Sequence, residues 1–167
     1  MRHLTSQIHY RALAHPETHV RSWVTTRICV EHSLLEILAH ADVNSLTRSV
    51  CLAAQIYVNR VFRTFQRGAM ILHGISKRLK NTIVGTLEAT QGDEHTSALA
   101  RWVGIMGGLG AQDGALREWF VESIRVVRHR LGVTTWDEVH KRLERWCWDD
   151  DLLGREGETL WREVETL

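Results

Sequence analysis

The run GIMGGLGAQDG, residues 104–114, places five glycines in eleven positions and poses the first question of chemistry. A phosphate loop of the P-loop kind closes in Gly-Lys-Ser/Thr, because the lysine and the hydroxyl serve the phosphates and magnesium. Here Gly110 is followed by Ala111, Gln112 and Asp113, which excludes that chemistry. A dinucleotide fingerprint needs a preceding strand, whereas residues 96–106 carry a helical pattern. The reading that remains is a joint between helices, where glycine lets the chain turn and lets two backbones approach.

Other reactive residue types are equally bare of partners. His15 and His19 have the i, i+4 spacing of two ligands on one helix face, but lack the acid of H-E-x-x-H and an obvious third ligand. The run Trp148-Asp149-Asp150-Asp151 suggests a cation site, and equally an acidic patch at the positive end of the next helix. Cys29, Cys51 and Cys147 are odd in number and far apart, which excludes a disulfide framework and a cysteine-rich zinc site. Neither a Gly-x-Ser-x-Gly elbow nor a cysteine matched to a partner histidine is present. The sequence therefore offers no catalytic residue, no metal ligand set and no cofactor site, and the expectation is that the chain is not an enzyme.

The elements that would position any site read almost wholly as helix. After Pro16, Val20, Val24, Ile28, Leu35 and Leu38 trace one predicted apolar face. A second helix follows DVNS, with Leu46, Val50, Ala54, Tyr57, Val61 and Phe65 on a stripe widened by Cys51, Val58 and Phe62, which predicts a central, mostly buried helix. A third spans about Met70 to Leu87, and a fourth starts near His95 with Leu99, Trp102, Val103 and Met106. The fifth begins near Asp113, a good N-cap type, and carries Leu116, Phe120, Ile124, Val127 and Leu131 before Gly132. Two overlapping capping boxes, Thr134 with Asp137 and Thr135 with Glu138, precede a sixth helix through Trp136, Val139, Leu143 and Trp146. A short last helix holds Leu160, Trp161 and Val164. Strand alternation and internal repeats are absent, so the expected fold is all-α: an N-terminal tail over 1–15 and one irregular bundle of about seven helices over 16–167.

Residues 113–147 also have the outline of a helix-turn-helix, with His140, Lys141, Arg142 and Arg145 available to phosphates or base edges on the second helix. Against a DNA reader stand the packing pattern of Trp136, Val139, Leu143 and Trp146 and the opposing charges of Glu138 and Glu144. Charge is uneven: residues 1–90 carry 11 Lys/Arg against 5 Asp/Glu, and residues 91–167 carry 10 against 15. The element thus lies in the acidic half. A stretch long and apolar enough for a membrane span is missing, and the arginine-bearing, acid-poor N-terminus is not a secretory signal.

Several segments, taken in order, resemble one family. Trp102, Gly107-Gly108, Arg117 to Phe120, Leu131-Gly132, Trp136 with Val139, Trp148-Asp149 and Leu160-Trp161 with Glu163-Val164 are similar to the C-terminal end of the fungal-specific transcription factor domain. The run VCLAAQIYVNRVFR, residues 50–63, resembles an earlier helix of that domain, so the likeness covers about 50–164. It implies a helical regulatory module in the nucleus, with the cytoplasm as the other compartment. Its implied partners are other proteins of the transcription machinery, DNA only indirectly or weakly, no membrane, and a small-molecule effector of unknown identity in a cleft between helices. The family's DNA-reading part holds two zinc ions on six closely spaced cysteines, and three distant cysteines cannot supply it. The chain is then either the C-terminal part of a longer regulator or a short stand-alone relative. The alternatives from other classes are a direct DNA binder through 113–147 and a small-molecule-binding helical protein of a biosynthetic cluster.

Overall fold

The computed structural model describes residues 16–62, 69–89, 94–111, 114–132 and 134–166. Among them seven helices follow one another without a strand: α1 Pro16–Ala39, α2 Ser45–Phe62, α3 Met70–Ala89, α4 Glu94–Gly110, α5 Gly114–Leu131, α6 Trp136–Leu143 and α7 Asp150–Thr166. The expected all-α single domain is thus the observed one.

The hub is α4. It packs against α2, α3, α5, α6 and α7, and every residue from Ala100 to Ala111 is buried. A helix with neighbours on all sides must be narrow, and its glycines supply that. A Cβ at Gly107 would run into the Phe120 ring of α5, and one at Gly108 would stand 2.8 Å from Leu160 of α7. The glycines therefore lie inside the helix, which runs on through Gly110, and not in a joint beyond its end. Each glycine costs about 1 kcal/mol of helix propensity relative to alanine, and the contacts it admits offset that cost.

Around α4 the core is continuous, joining Leu52 and Ile56 of α2, Leu72, Leu79 and Ile83 of α3, Phe120 and Ile124 of α5, and Leu160, Trp161 and Val164 of α7. Within α2 the deepest apolar side chains are Leu52, Ala53 and Ile56, while Val50, Ala54 and Tyr57 of the expected stripe are half-buried against the same core. The helix is buried nearly all round, as its wide stripe predicts.

Local signals place the helix ends. Asn44 Oδ1 accepts from Thr47 N at 2.8 Å and starts α2, and Gly132 stops α5 in the left-handed region at φ 60°. Asp113, the expected cap of α5, lies outside the described residues, as do Phe65 and the side chains of Val20, Leu87 and Leu131.

Two expectations are corrected. The first helix turns Arg27, Glu31, Leu34 and Leu38 toward α2, and leaves Val24, Ile28 and Leu35 exposed. The last helix is 17 residues long and begins at Asp150; Gly154 and Gly157 hid its first half from a propensity reading.

Phe120 is fully buried against Gly107, whereas Trp119 is half-buried beneath Lys80 at 5.1 Å. Phe120→Ala is expected to cost about 3–5 kcal/mol in chemical denaturation, and Trp119→Ala clearly less. A Phe120→Ala loss below about 1 kcal/mol would contradict this packing.

Candidate functional site

The polar residues with the most developed geometry gather where α5, α6 and α7 meet. Arg117 of α5, itself buried, makes a two-pronged bridge to Glu163 of α7, with Nε to Oε2 at 2.7 Å and the second prong at 2.8 Å. Its remaining nitrogen donates to Gly108 O at 2.9 Å, satisfying a carbonyl in the last turn of α4. Three helices are thereby joined through one guanidinium. Arg60 of α2 pairs with Glu156 of α7 through a single contact, Nη2 to Oε1.

The start of α6 is set by the second of the two overlapping capping boxes. Thr135 Oγ1 accepts from Glu138 N, and the Glu138 carboxylate accepts from Thr134 N at 3.0 Å and Thr135 N at 3.4 Å. These backbone donors hold the Glu138 carboxyl below its usual range. The box of Thr134 with Asp137 is not the one formed.

The cap aims Trp136 at α7. Its ring lies 6.1 Å from that of Trp148, edge to face, and both rings rest on Gly157, where a Cβ would stand 2.7 Å from Trp136 and 2.8 Å from Trp148. His140 Nε2 is 2.6 Å from Asp150 Oδ1, which also accepts from Trp148 Nε1 at 3.0 Å. Trp102 of α4 donates from its indole to Cys147 O at 2.9 Å and ties down the chain between α6 and α7.

Beside this clamp lies an open pocket of about 260 Å³ between the start of α6 and the C-terminal half of α7. Trp136 and the buried Trp161 line it, and Asp137, Glu158, Glu165 and Arg162 stand around it. Arg162 is engaged by Glu158 at 2.7 Å, and Glu165 accepts from Trp161 Nε1 at 2.9 Å. Carboxylates beside indole faces suit a cation, a guanidinium or ammonium group above all. The molecule already contains such a contact, since the Arg128 guanidinium lies 5.4 Å over the Trp161 ring.

The sequence-level candidates fall into place around this corner. Of the acidic run, Asp149 Oδ1 accepts from Leu152 N at 3.2 Å and caps α7, while Asp150 belongs to the clamp. His140, Glu144 and Asp150 form a group of ligand atoms all within 4.8 Å of one another, a geometry able to hold a divalent cation. Sequence spacing missed it because Asp150 joins the other two only through the fold. His15 and the side chain of His19 lie outside the described residues.

The helix-turn-helix outline has little of that motif's geometry. Lys141 and Arg145 are exposed, but His140 is held by Asp150. The N-terminal turn of α6, the end that reads bases in such motifs, carries Asp137 and Glu138, and α6 packs on α4.

Neither Cys51 nor Cys147 is primed as a nucleophile. Burial pushes the Cys51 and Cys147 thiols up, so both stay protonated near neutral pH. Burial, with Cys147 and Asp149 close by, also raises the Tyr57 phenol. Among the described residues, no helix is long and apolar enough to cross a membrane.

Glu138 carries a pH signature. Its carboxyl titrates lower in the folded chain than in the unfolded one, so its contribution is present above the ordinary value of 4.5 and is lost as pH falls through the folded value. The difference in Tm between the wild type and Glu138→Gln is expected to be widest near neutral pH and to close on acidification. A gap that stays constant down to pH ~3, well below the ordinary carboxylate range, would contradict the capping geometry. No protein-family model, curated protein or solved structure matches this chain.

Proposed function

We propose that this chain is a helical regulatory module of a transcription factor that acts by contact with another protein, with the pocket between α6 and α7 as its contact site. The observation that carries the reading is the convergence of the residues on which the family resemblance rests. Gly107 receives Phe120, and Gly108 faces Leu160 and lends its carbonyl to Arg117. Arg117 in turn binds Glu163, and Trp136 meets Trp148 edge to face. Segments far apart in sequence thus recur as partners in one scaffold. The centre is built of packing and ion pairs, as a scaffold requires.

The surface that this scaffold holds up is aromatic and acidic. It suits a basic segment of a partner protein, with one arginine or lysine side chain entering beside Trp136 among the carboxylates of Asp137 and Glu158. The same surface repels nucleic acid, whose phosphates would meet Asp137, Glu138 and Glu158. DNA contact is therefore indirect in this reading, and a small-molecule effector with a cationic group is the form of ligand that the pocket admits.

The test is a reporter assay in a fungal cell, with the chain fused to an unrelated DNA-binding domain. The fusion is expected to change reporter output at least threefold, up or down, relative to the DNA-binding domain alone. Asp137→Lys with Glu158→Lys is expected to abolish that change while the fusion protein stays at the same level. A fusion no different from the bare DNA-binding domain overturns the regulatory reading. Full activity of the double variant overturns the assignment of the site.

A further inference from the structure

Between Asp42 and Glu88 the chain carries no acidic residue, and seven lysines and arginines fall in that interval. Part of this charge is used inside the molecule. Arg48 donates to the Leu38 and His40 carbonyls at the end of α1, Arg60 meets Glu156 of α7, and Lys80 lies over the Trp119 ring of α5. Lys77 and Arg78 of α3 are exposed instead, and neither meets a carboxylate among the described residues.

These two cations stand within a continuous outward stripe. The helix α3 turns Leu72, Ile75, Leu79 and Ile83 into the core, while Met70, Ile71, Gly74, Lys77, Arg78 and Val84 are all exposed. Their spacings of three, four and seven set them on one side of the helix. Both ends of the stripe are apolar: Met70 is 84% exposed, Ile71 47% and Val84 48%. Gly74 has no packing reason inside the molecule, since a Cβ there would meet nothing within 4 Å. A glycine within a helix weakens it relative to alanine, and no internal contact offsets that here, in contrast to Gly107, Gly108 and Gly157. It leaves a flat place with Met70 and Ile71 one turn before it and Lys77 and Arg78 one turn after.

The chemistry of the stripe selects its occupant. The two cations call for carboxylates or phosphates, and the three apolar side chains call for apolar surface. Nucleic acid supplies the first and leaves Met70, Ile71 and Val84 in water. A lipid surface takes up a helix by its long apolar face, but that face of α3 is committed to the core, and the two cations lie between the apolar ends of the stripe. An acidic helix bearing apolar side chains supplies both groups at one depth, and a bare glycine lets its backbone come close.

We propose that the outer face of α3 binds an acidic amphipathic helix of a partner protein, with an apolar side chain seated over Gly74 beside Met70 and Ile71, and carboxylates on Lys77 and Arg78. From Met70 to Val84 the stripe runs about 21 Å at 1.5 Å per residue, or about four turns of a bound helix. It shares no residue with the α6–α7 pocket and stands or falls independently of that site's role.

The probe is a fluorescent alanine-based peptide of about 20 residues, long enough to be helical alone, with leucines and glutamates along one face. Its control has the same composition with those residues spread around the helix. Anisotropy titration with the full chain at low salt is expected to show saturable binding of the first peptide, about tenfold tighter than the control and weakening as salt screens the charges. Lys77→Glu with Arg78→Glu is expected to weaken it about tenfold with unchanged helicity, since both residues are exposed. Gly74→Gln separates docking from folding. Glutamine is the better helix former, so Tm is expected to hold or rise, while the peptide binds about fivefold more weakly because the flat place is filled. No binding, equal binding of the two peptides, or binding that either variant leaves undiminished overturns the proposal. Tighter binding of duplex DNA, or of vesicles of phosphatidylserine and phosphatidylcholine, overturns it in favour of those surfaces. Self-association of the chain that Lys77→Glu with Arg78→Glu abolishes overturns it in favour of a second copy.

Discussion

The structure depends on a helix that has no room for side chains where its neighbours press hardest. With five helices around it, α4 can be enclosed only if some of its positions are bare backbone. Gly107 admits the Phe120 ring and Gly108 admits Leu160, so α5 and α7 approach on adjacent sides of the same turn. Glycine weakens a helix by leaving its backbone freer in the unfolded chain and more open to solvent. Burial removes the second weakness. Arg117 Nη1 answers for the carbonyl that Gly108 leaves near the helix end, at 2.9 Å.

That arginine explains why α7 lies where it does. A buried guanidinium is costly to desolvate, and a carboxylate repays the cost only with good geometry. Glu163 meets it with two prongs and remains partly open to water, which lowers the desolvation cost on its own side. The bridge fixes the register of α7 against α5. Through Leu160 and Gly157 it fixes the distance of α7 from α4 and from the two indoles of α6 and the following turn. The acidic pocket is a consequence: once Gly157 seats Trp136 and Trp148, the next turns of α7 bring Glu158, Trp161 and Glu165 opposite the cap of α6.

Much of this was legible in the sequence wherever one local rule decided the outcome. The apolar spacing of Leu116, Phe120, Ile124 and Val127 gave the buried face of α5, and Thr135 with Glu138 formed the expected box. The misreadings arose where tertiary contact outweighed propensity. Glycines that mark a break in an exposed chain continue a helix when neighbours enclose it, as at Gly107 and Gly157. Likewise the most apolar stripe of α1 did not become its inward face, because Leu34, Leu38 and the Arg27–Glu31 pair at 3.9 Å fill the seam on α2. The pocket and the His140–Asp150 clamp were invisible for a simpler reason. They join residues from separate helices, and no spacing along the chain records that Glu165 stands near Trp136.

The uneven charge of the chain now has a physical place. The acidic half closes the bundle around α4 and concentrates carboxylates at α6 and α7, while the first helix keeps Val24, Ile28 and Leu35 outward. Electrostatic repulsion makes it costly for two acidic corners to face each other.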